Sequence, residues 1–227
     1  MSEENKESLS ARRPLGRLHI LTDEVLQSRW SHLDLARLAA DGGADVVQYR
    51  DKRSLPADQR VLVARALRRA LPVGVQLVVN DHAEVALAVG ADGVHLGRDD
   101  LSPDRARRLL GPRFLIGGTA NSLEEARRSF ALNLDYLGVG PVFGTRSKAQ
   151  APPALGLEAL GRIAGESPLP VIAIGGITPE NLEAVLEAGA WGVAVLSGVT
   201  CSDEPLAATA RYRAALERSL ERGRVRS

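Results

Sequence analysis

Residues 170–198, PVIAIGGITPENLEAVLEAGAWGVAVLSG, contain two short apolar runs separated by a helical stretch. The runs at 170–175 and 192–197 are almost continuously apolar, which is typical of parallel strands covered on both faces. The stretch 179–188 begins with a proline and follows Thr178, a combination that favours the start of a helix. The segment therefore predicts one strand–helix–strand unit.

The same unit is repeated along the chain. Six further apolar runs precede it: RLHILT (17–22), DVVQYR (45–50), QLVVN (76–80), GVHLG (93–97), FLIGGT (114–119) and YLGVGPV (136–142). Seven further stretches have helical features, at 33–40, 57–70, 82–88, 103–110, 122–130, 156–163 and 204–221. Eight strands alternating with eight helices predict an α/β fold, a closed (β/α)8 TIM barrel with a parallel eight-stranded core.

An open doubly wound sheet is the competing architecture. Such sheets usually have fewer strands and often carry GxGxxG after the first strand, whereas the turn here is TDE (22–24). The phrases GADVV (43–47), GADGV (90–94) and GAWGV (189–193) recur where a helix ends and the next strand begins. Glycine is a natural cap at the end of a helix, so their recurrence supports a repeated unit.

The composition excludes several classes of protein. The chain has 227 residues, and its 29 basic and 28 acidic side chains leave a formal charge of +1. We therefore expect no nucleic-acid partner and no membrane partner. The one cysteine, Cys201, cannot form an internal disulfide or a multi-thiolate metal site. The N-terminal residues lack the apolar run of a signal peptide, so we expect a cytoplasmic protein.

No linker interrupts the alternation of strands and helices. AQAPP (149–153) has a linker-like composition, but it is too short to separate domains. The polar start of the chain, with its mixed charges, predicts a disordered tail at 1–14. A single barrel domain at 15–222 and a frayed basic tail at 223–227 are predicted to follow.

The chemistry is expected where the strands end, because barrel enzymes build their sites at the carboxyl-terminal face. Strand two ends with Gln48, Arg50 and Lys52, which alternation places on one side. Two cations there suit a phosphate or diphosphate, and a surface salt-bridge cluster is the alternative. Asp81 after strand three and the acidic pair Asp99 and Asp100 after strand four can supply carboxylates to one Mg²⁺, and a helix N-terminal role is the alternative for Asp99 and Asp100.

The loops after the later strands offer groups that bind anions. Thr145, Ser147 and Lys148 supply two hydroxyls and an ammonium after strand six. The paired glycines at 175–176 and Ser197 follow strands seven and eight, where many barrels bind phosphate. An exposed loop and simple tight turns are the alternatives for these segments.

The histidines and the cysteine indicate no further chemistry. His95, in the middle of strand four, is interpreted as a hydrogen-bonded core residue. No HExxH or mixed Cys/His pattern is present, so a zinc site is not expected. Cys201 has no evident base partner and is interpreted as a structural or incidental thiol.

Taken in order, the strand ends resemble the thiamine phosphate synthase family from about residue 17 to residue 205. The matching phrases are LTD (21–23), QYRDK (48–52), ND (80–81), ADGVHLGRDDL (91–101), IGGTANS (116–122), DYLGVGPVFGTRSK (135–148), ALGLEAL (154–160), AIGGITPEN (173–181) and AGAWGVAVLSG (188–198). No single phrase is decisive, but the ordered set is specific.

The resemblance implies a transferase that joins hydroxymethylpyrimidine diphosphate to a thiazole phosphate and releases diphosphate by dissociative substitution. It implies one Mg²⁺ per subunit, held by Asp81 and Asp100. The implied pyrimidine diphosphate site consists of Gln48, Arg50, Lys52, Asn80, Thr119 and Lys148, with Arg50, Lys52 and Lys148 as the catalytic cations. The implied thiazole phosphate site consists of Thr145, Arg146, Ser147, Gly176, Leu196 and Ser197. We expect small phosphorylated molecules as partners and a homodimer as a candidate assembly.

Two positions depart from the family pattern. Many relatives carry His where this chain has Asn121, and in a sister group, the thiazole tautomerases, that His is the acid–base. Asn does not transfer a proton near neutral pH, so Asn121 argues against a tautomerase. Gly144 stands where Pro is frequent, which affects loop rigidity alone. A tautomerase-type paralogue and a non-catalytic barrel that binds a phosphorylated ligand are the alternative functions, and loss of Asp81 and Asp100 would be expected in the second.

Overall fold

The computed structural model describes residues 14–145 and 152–226. Three of the predicted site residues, Arg146, Ser147 and Lys148, therefore lie outside the described residues, as do residues 1–13 of the predicted tail. The division of the chain into two tails and one domain stays a prediction.

Eight parallel strands close into a barrel in chain order, with the last strand hydrogen-bonded to the first. The strands are β1 Leu18–Thr22, β2 Val46–Tyr49, β3 Gln76–Asn80, β4 Gly93–Leu96, β5 Leu115–Ala120, β6 Tyr136–Val139, β7 Val171–Ile174 and β8 Gly192–Val195. The closing pair aligns Leu18 of β1 with Val193 of β8. The predicted (β/α)8 barrel is confirmed, and the open sheet is excluded.

Nine helices lie within the described residues. They are α1 His32–Asp41, α2 Ala57–Ala70, α3 Ala83–Val89, α4 Pro103–Leu110, α5 Leu123–Ser129, α6 Gly156–Glu166, α7 Leu182–Glu187, α8 Ser197–Thr200 and α9 Pro205–Arg226. None of these helices has the length and apolar character needed to cross a membrane. The backbone of α9 is helical through Arg226, so it extends into the segment predicted as a frayed tail at 223–227.

Helices α6 and α9 extend three and five residues beyond their predicted ends at 163 and 221, and α7 and α8 also differ from the sequence prediction. Helix α7 begins at Leu182 rather than at residue 179, because the Asn181 side chain accepts from Thr178 N and donates to Gly176 O. These bonds hold residues 178–181 in a turn. The short helix α8 directly after β8 was not predicted, because four residues are too few to show a helical period.

Glycines end the helices at the recurring phrases. Gly43, Gly90 and Gly189 have φ angles of 94°, 60° and 97°, at or directly after a helix end. This left-handed conformation is open to glycine without a steric penalty, so the predicted capping role is confirmed.

Apolar side chains fill two separate regions. The larger region lies between the outer face of the barrel and the helices, and includes the fully buried Ile20. The smaller region lies inside the barrel and contains Leu21, Tyr136, Ile172 and Ala194. Because this inner cluster is small, the interior towards the carboxyl ends of the strands is free to carry polar side chains.

Residues 14–16 close the opposite, amino-terminal end of the barrel. Gly16 N donates to Gln76 Oε1 at 3.0 Å, and Gln76 Nε2 donates to Pro14 O at 3.1 Å. His19 Nε2 donates to Gly16 O at 3.1 Å, and its ring is buried. Burial lowers the pKa of His19 to about 4, despite the opposing effects of Gly16 and Asp45. His19 is therefore neutral in the folded protein at physiological pH.

Replacing His19 with Gln is expected to flatten the dependence of stability on pH. The unfolded state takes up a proton near the ordinary pKa of 6.5, whereas the folded state takes it up near 4. The contribution of neutral His19 to the free energy of unfolding is therefore complete above pH 6.5. It is lost as the pH falls to 4, and the total loss is about 3 kcal/mol. Urea unfolding between these pH values measures it. Burial also lowers the pKa of His32, so part of the pH dependence of stability remains in both the wild-type protein and the variant. An unchanged slope in His19→Gln would contradict the assignment.

Candidate active site

A cavity of about 760 Å³ lies at the carboxyl ends of the strands. Every predicted site residue within the described ranges lines it: Gln48, Arg50, Lys52, Asn80, Asp81, Asp100, Thr119, Thr145, Gly176, Leu196 and Ser197. Residues as distant in sequence as Gln48 and Ser197 therefore face one space. Their location agrees with the sequence analysis, and their individual roles stay predictions.

A buried ion pair holds the cationic side of the cavity. Arg50 is 9% exposed and pairs through Nη1 with Oδ2 of Asp23, which is fully buried. The other oxygen of Asp23 accepts from Val25 N at 2.7 Å and Leu26 N at 2.9 Å. Asp23 thus attaches the guanidinium to the loop after β1. A pair this deeply buried does not fit the alternative of a surface salt-bridge cluster.

Asp81 and Asp100 meet beside Lys52. Lys52 Nζ lies 2.5 Å from Asp81 Oδ2, and Asp100 Oδ2 accepts from Gly97 N at 2.6 Å. Burial opposes ionisation of Asp81, but the Lys52 ammonium outweighs it and holds the pKa of Asp81 below its ordinary value. Burial and the neighbouring Asp81 carboxylate raise the pKa of Asp100, against the hydrogen bond from Gly97. The two carboxyl groups therefore lie close enough to repel each other.

The backbone at Asp81 supports this placement. Asp81 has a φ of 67°, a left-handed conformation that is uncommon outside glycine. Its N–H donates to His95 O at 2.8 Å, which extends the contact between β3 and β4 beyond the last paired residue. Residues in sparsely populated backbone conformations often cluster at functional sites.

The residues present fit a magnesium ion. Two carboxylates that repel each other form an oxygen-rich place for a hard cation, and Mg²⁺ commonly takes one or two carboxylates with water and phosphate oxygens. No cluster of three or more His, Cys, Asp or Glu ligands occurs within the described parts of the chain. Water and phosphate oxygens commonly complete a magnesium site that has one or two carboxylates.

The loops after β7 and β8 form the other side of the cavity. Gly175 and Gly176 have φ angles of 100° and 66°. A Cβ atom on Gly176 would lie 2.7 Å from Gly144 O, so glycine permits the close approach of the loop after β6. Tyr212 of α9 donates to Ile177 O at 2.9 Å and lies under Gly198. This side presents backbone groups and the exposed Ser197 hydroxyl, as a phosphate site requires.

Part of the cavity lining was not predicted from the sequence. His95 is hydrogen-bonded as expected, but it is half-buried and faces the cavity rather than the core. His19 and Tyr136 also line it, and Asn121 Nδ2 donates to Gly140 O at its edge. Strand alternation carried the signal for His95, because its neighbours Val94 and Leu96 both pack among the buried apolar residues outside the barrel.

Known proteins resemble this chain over most of its length. A family model described as thiamine monophosphate synthase matches residues 18–199. The thiamine-phosphate synthase of Salinibacter ruber is 45% identical over 213 residues, with 94% of each chain covered. That of Methanoculleus marisnigri is 45% identical over 208 residues, with 91% of this chain and 98% of the relative covered. The solved thiamine phosphate pyrophosphorylase from Pyrococcus furiosus has a TM-score of 0.80 at 35% identity, with 90% and 96% covered.

The fold and the cavity define a (β/α)8-barrel enzyme with a polar site at the carboxyl ends of its strands. The family model covers well over half of the chain, and the relatives match it nearly end to end. The chain belongs to the thiamine monophosphate synthase family. It is a transferase of thiamine biosynthesis, as the sequence resemblance implied.

Replacing Asp23 with Ala is expected to destabilise the protein by about 3–5 kcal/mol, because it removes the carboxylate that is paired with the buried Arg50 guanidinium. Urea unfolding measures the change. Asp203→Ala is the matched control: it removes the exposed Arg29–Asp203 pair and is expected to cost no more than about 1 kcal/mol. Equal losses in the two variants would show that the Asp23–Arg50 pair has no special role.

Proposed function

We propose that the protein joins hydroxymethylpyrimidine diphosphate to a thiazole phosphate, forming thiamine phosphate and releasing diphosphate. The observation that supports this is that one cavity has two different walls, each of which is suited to binding an anion. One wall has Arg50, Lys52 and the two carboxylates, and the other has the glycine loop and Ser197. Two phosphorylated substrates can therefore be held facing each other, and phosphorylated small molecules are the partners that we propose.

The pyrimidine diphosphate is assigned to the wall formed by β2 to β5. Gln48, Asn80 and Thr119 would contact this substrate, and Arg50 and Lys52 would pair with its diphosphate. Lys148 is proposed to complete the cationic set. The thiazole phosphate is assigned to the opposite wall, whose proposed contacts are Thr145, Arg146, Ser147, Gly176, Leu196 and Ser197.

The proposed reaction breaks the carbon–oxygen bond to the diphosphate before the thiazole nitrogen bonds to the same carbon. Arg50 and Lys52 stabilise the negative charge that develops on the leaving group, and Arg50 is already held in place by Asp23. One Mg²⁺ per subunit, held by Asp81 and Asp100, would neutralise further charge on the diphosphate when bound. The attacking nitrogen belongs to the substrate, so the protein need not supply a nucleophile.

Two alternative functions receive less support. In a tautomerase-type paralogue the residue at position 121 would have to move a proton, whereas the Asn121 amide is engaged as a donor to Gly140 O. A non-catalytic barrel that binds a phosphorylated ligand would not need the paired Asp81 and Asp100. A cytoplasmic location and a homodimeric assembly complete the proposal.

Incubating the purified protein with both substrates and Mg²⁺ is expected to yield thiamine phosphate and an equal amount of diphosphate. Adding EDTA in excess is expected to stop the reaction, because the diphosphate charge is then poorly neutralised. Chromatography of the products measures both. Binding of both substrates without any product would contradict the proposed function and favour the non-catalytic barrel.

Asp81→Asn and Asp100→Asn are each expected to lower kcat/KM by more than about 100-fold, the order of loss found when one main stabiliser of transition-state charge is removed. Asp104→Asn is the matched control, since Asp104 lies in the first turn of α4 and outside the cavity. Thermal unfolding checks that the three variants are folded. Near-normal turnover by either cavity variant would overturn the proposed metal ligands.

A further inference from the structure

A chain of hydrogen bonds runs from the barrel interior to the cavity. The Tyr136 hydroxyl lies 3.1 Å from His95 Nδ1, and His95 Nε2 lies 2.9 Å from Thr119 Oγ1. These residues come from β6, β4 and β5, so the chain crosses three adjacent strands. All three side chains line the cavity.

The buried Tyr136 hydroxyl determines which atom is the donor in each of these hydrogen bonds. Burial raises the pKa of Tyr136, so the hydroxyl keeps its proton. A buried hydroxyl that does not donate loses a hydrogen bond at a considerable cost in free energy. Within residues 14–145 and 152–226, the acceptor at hydrogen-bond distance from this hydroxyl is His95 Nδ1. His95 Nδ1 therefore accepts, Nε2 carries the ring proton, and Thr119 Oγ1 accepts from Nε2.

The Thr119 hydroxyl must then donate its own proton to another acceptor. Its hydroxyl donates to Leu96 O across 3.4 Å, longer than the 2.5–3.0 Å of an ordinary hydroxyl hydrogen bond. A better acceptor in the cavity can replace Leu96 O as the acceptor of this hydrogen bond. The ring nitrogens of an aminopyrimidine are such acceptors, whereas its diphosphate is matched by Arg50 and Lys52, which follow β2.

Two glycines in the strands leave room for the rings of the hydrogen-bonded residues Tyr136 and His95. A Cβ atom on Gly117 would lie 2.1 Å from Tyr136 Cζ, and one on Gly138 would lie 2.9 Å from His95 Cε1. Glycine weakens a strand interior and often marks a place where another group must approach closely. The positions of these two glycines therefore follow from the space that the Tyr136 and His95 rings occupy.

We propose that His95 is a positioning residue that holds Thr119 as a hydrogen-bond donor to a ring nitrogen of the bound pyrimidine. The proposal rests on the proposed function for the identity of the ligand. The direction of the Tyr136–His95–Thr119 chain is independent of it.

A matched pair of variants tests the role of His95. The amide nitrogen of Gln reaches the position of His95 Nε2, so His95→Gln can still donate to Thr119. Asn reaches only the position of Nδ1, so His95→Asn loses that contact. We expect His95→Asn to lower kcat/KM for the pyrimidine diphosphate by about tenfold and His95→Gln by no more than about threefold. The KM for the thiazole phosphate should not change. Equal losses in the two variants would overturn the proposal.

A double-mutant cycle tests whether His95 acts through Thr119. Thr119→Val removes the hydroxyl and keeps the shape of the side chain. If His95 acts through that hydroxyl, the variant carrying both His95→Asn and Thr119→Val should be no slower than Thr119→Val alone. Fully additive losses would overturn the proposal, and thermal unfolding checks that each variant is folded.

The tautomer of His95 is measured without substrate. Two-bond ¹⁵N–¹H correlation spectra of the ¹⁵N-histidine protein should show His95 protonated at Nε2, with its signal assigned by its loss in His95→Asn. A ring protonated at Nδ1 would overturn the proposal. If the wild-type protein makes no thiamine phosphate but His95 is protonated at Nε2, the proposed function fails and the direction of the chain stands.

Discussion

The closed parallel ladder of eight strands is the constraint on which the rest of this protein depends. Because a helix returns the chain to the start of each following strand, all eight strands are parallel and every carboxyl end reaches one mouth of the closed barrel. The helices then cover the outer face, where most of the apolar side chains are buried. The same closure that buries the core therefore also collects the polar strand ends into one cavity.

The cavity contains charges that are costly to bury and are held by specific partners. Asp23 holds Arg50, Lys52 contacts Asp81, and Asp81 faces Asp100. Removing such groups from water costs free energy that their mutual attraction only partly returns. Their arrangement is better explained by function than by stability, since preorganised charges lower the barrier to forming a charged leaving group.

The net charge of +1 conceals this arrangement. Cations and carboxylates nearly cancel over the whole chain, yet Arg50, Lys52, Asp81 and Asp100 meet within one cavity. A local field of this kind acts at short range and needs no overall excess of either sign. The composition could exclude a strong attraction to nucleic acid, but it could not reveal a site for small anions.

The strands, their parallel order and the residues at their ends could be predicted from the sequence, because apolar runs and side-chain alternation depend on the local backbone alone. Gln48 and Arg50 face the cavity for this reason. The sequence could not show that Asp23 pairs with Arg50, that His95 joins Tyr136 to Thr119, or that Asn181 delays the start of α7. Those contacts depend on strand register, on closure of the barrel and on the space left by Gly117 and Gly138, and only the tertiary structure decides them.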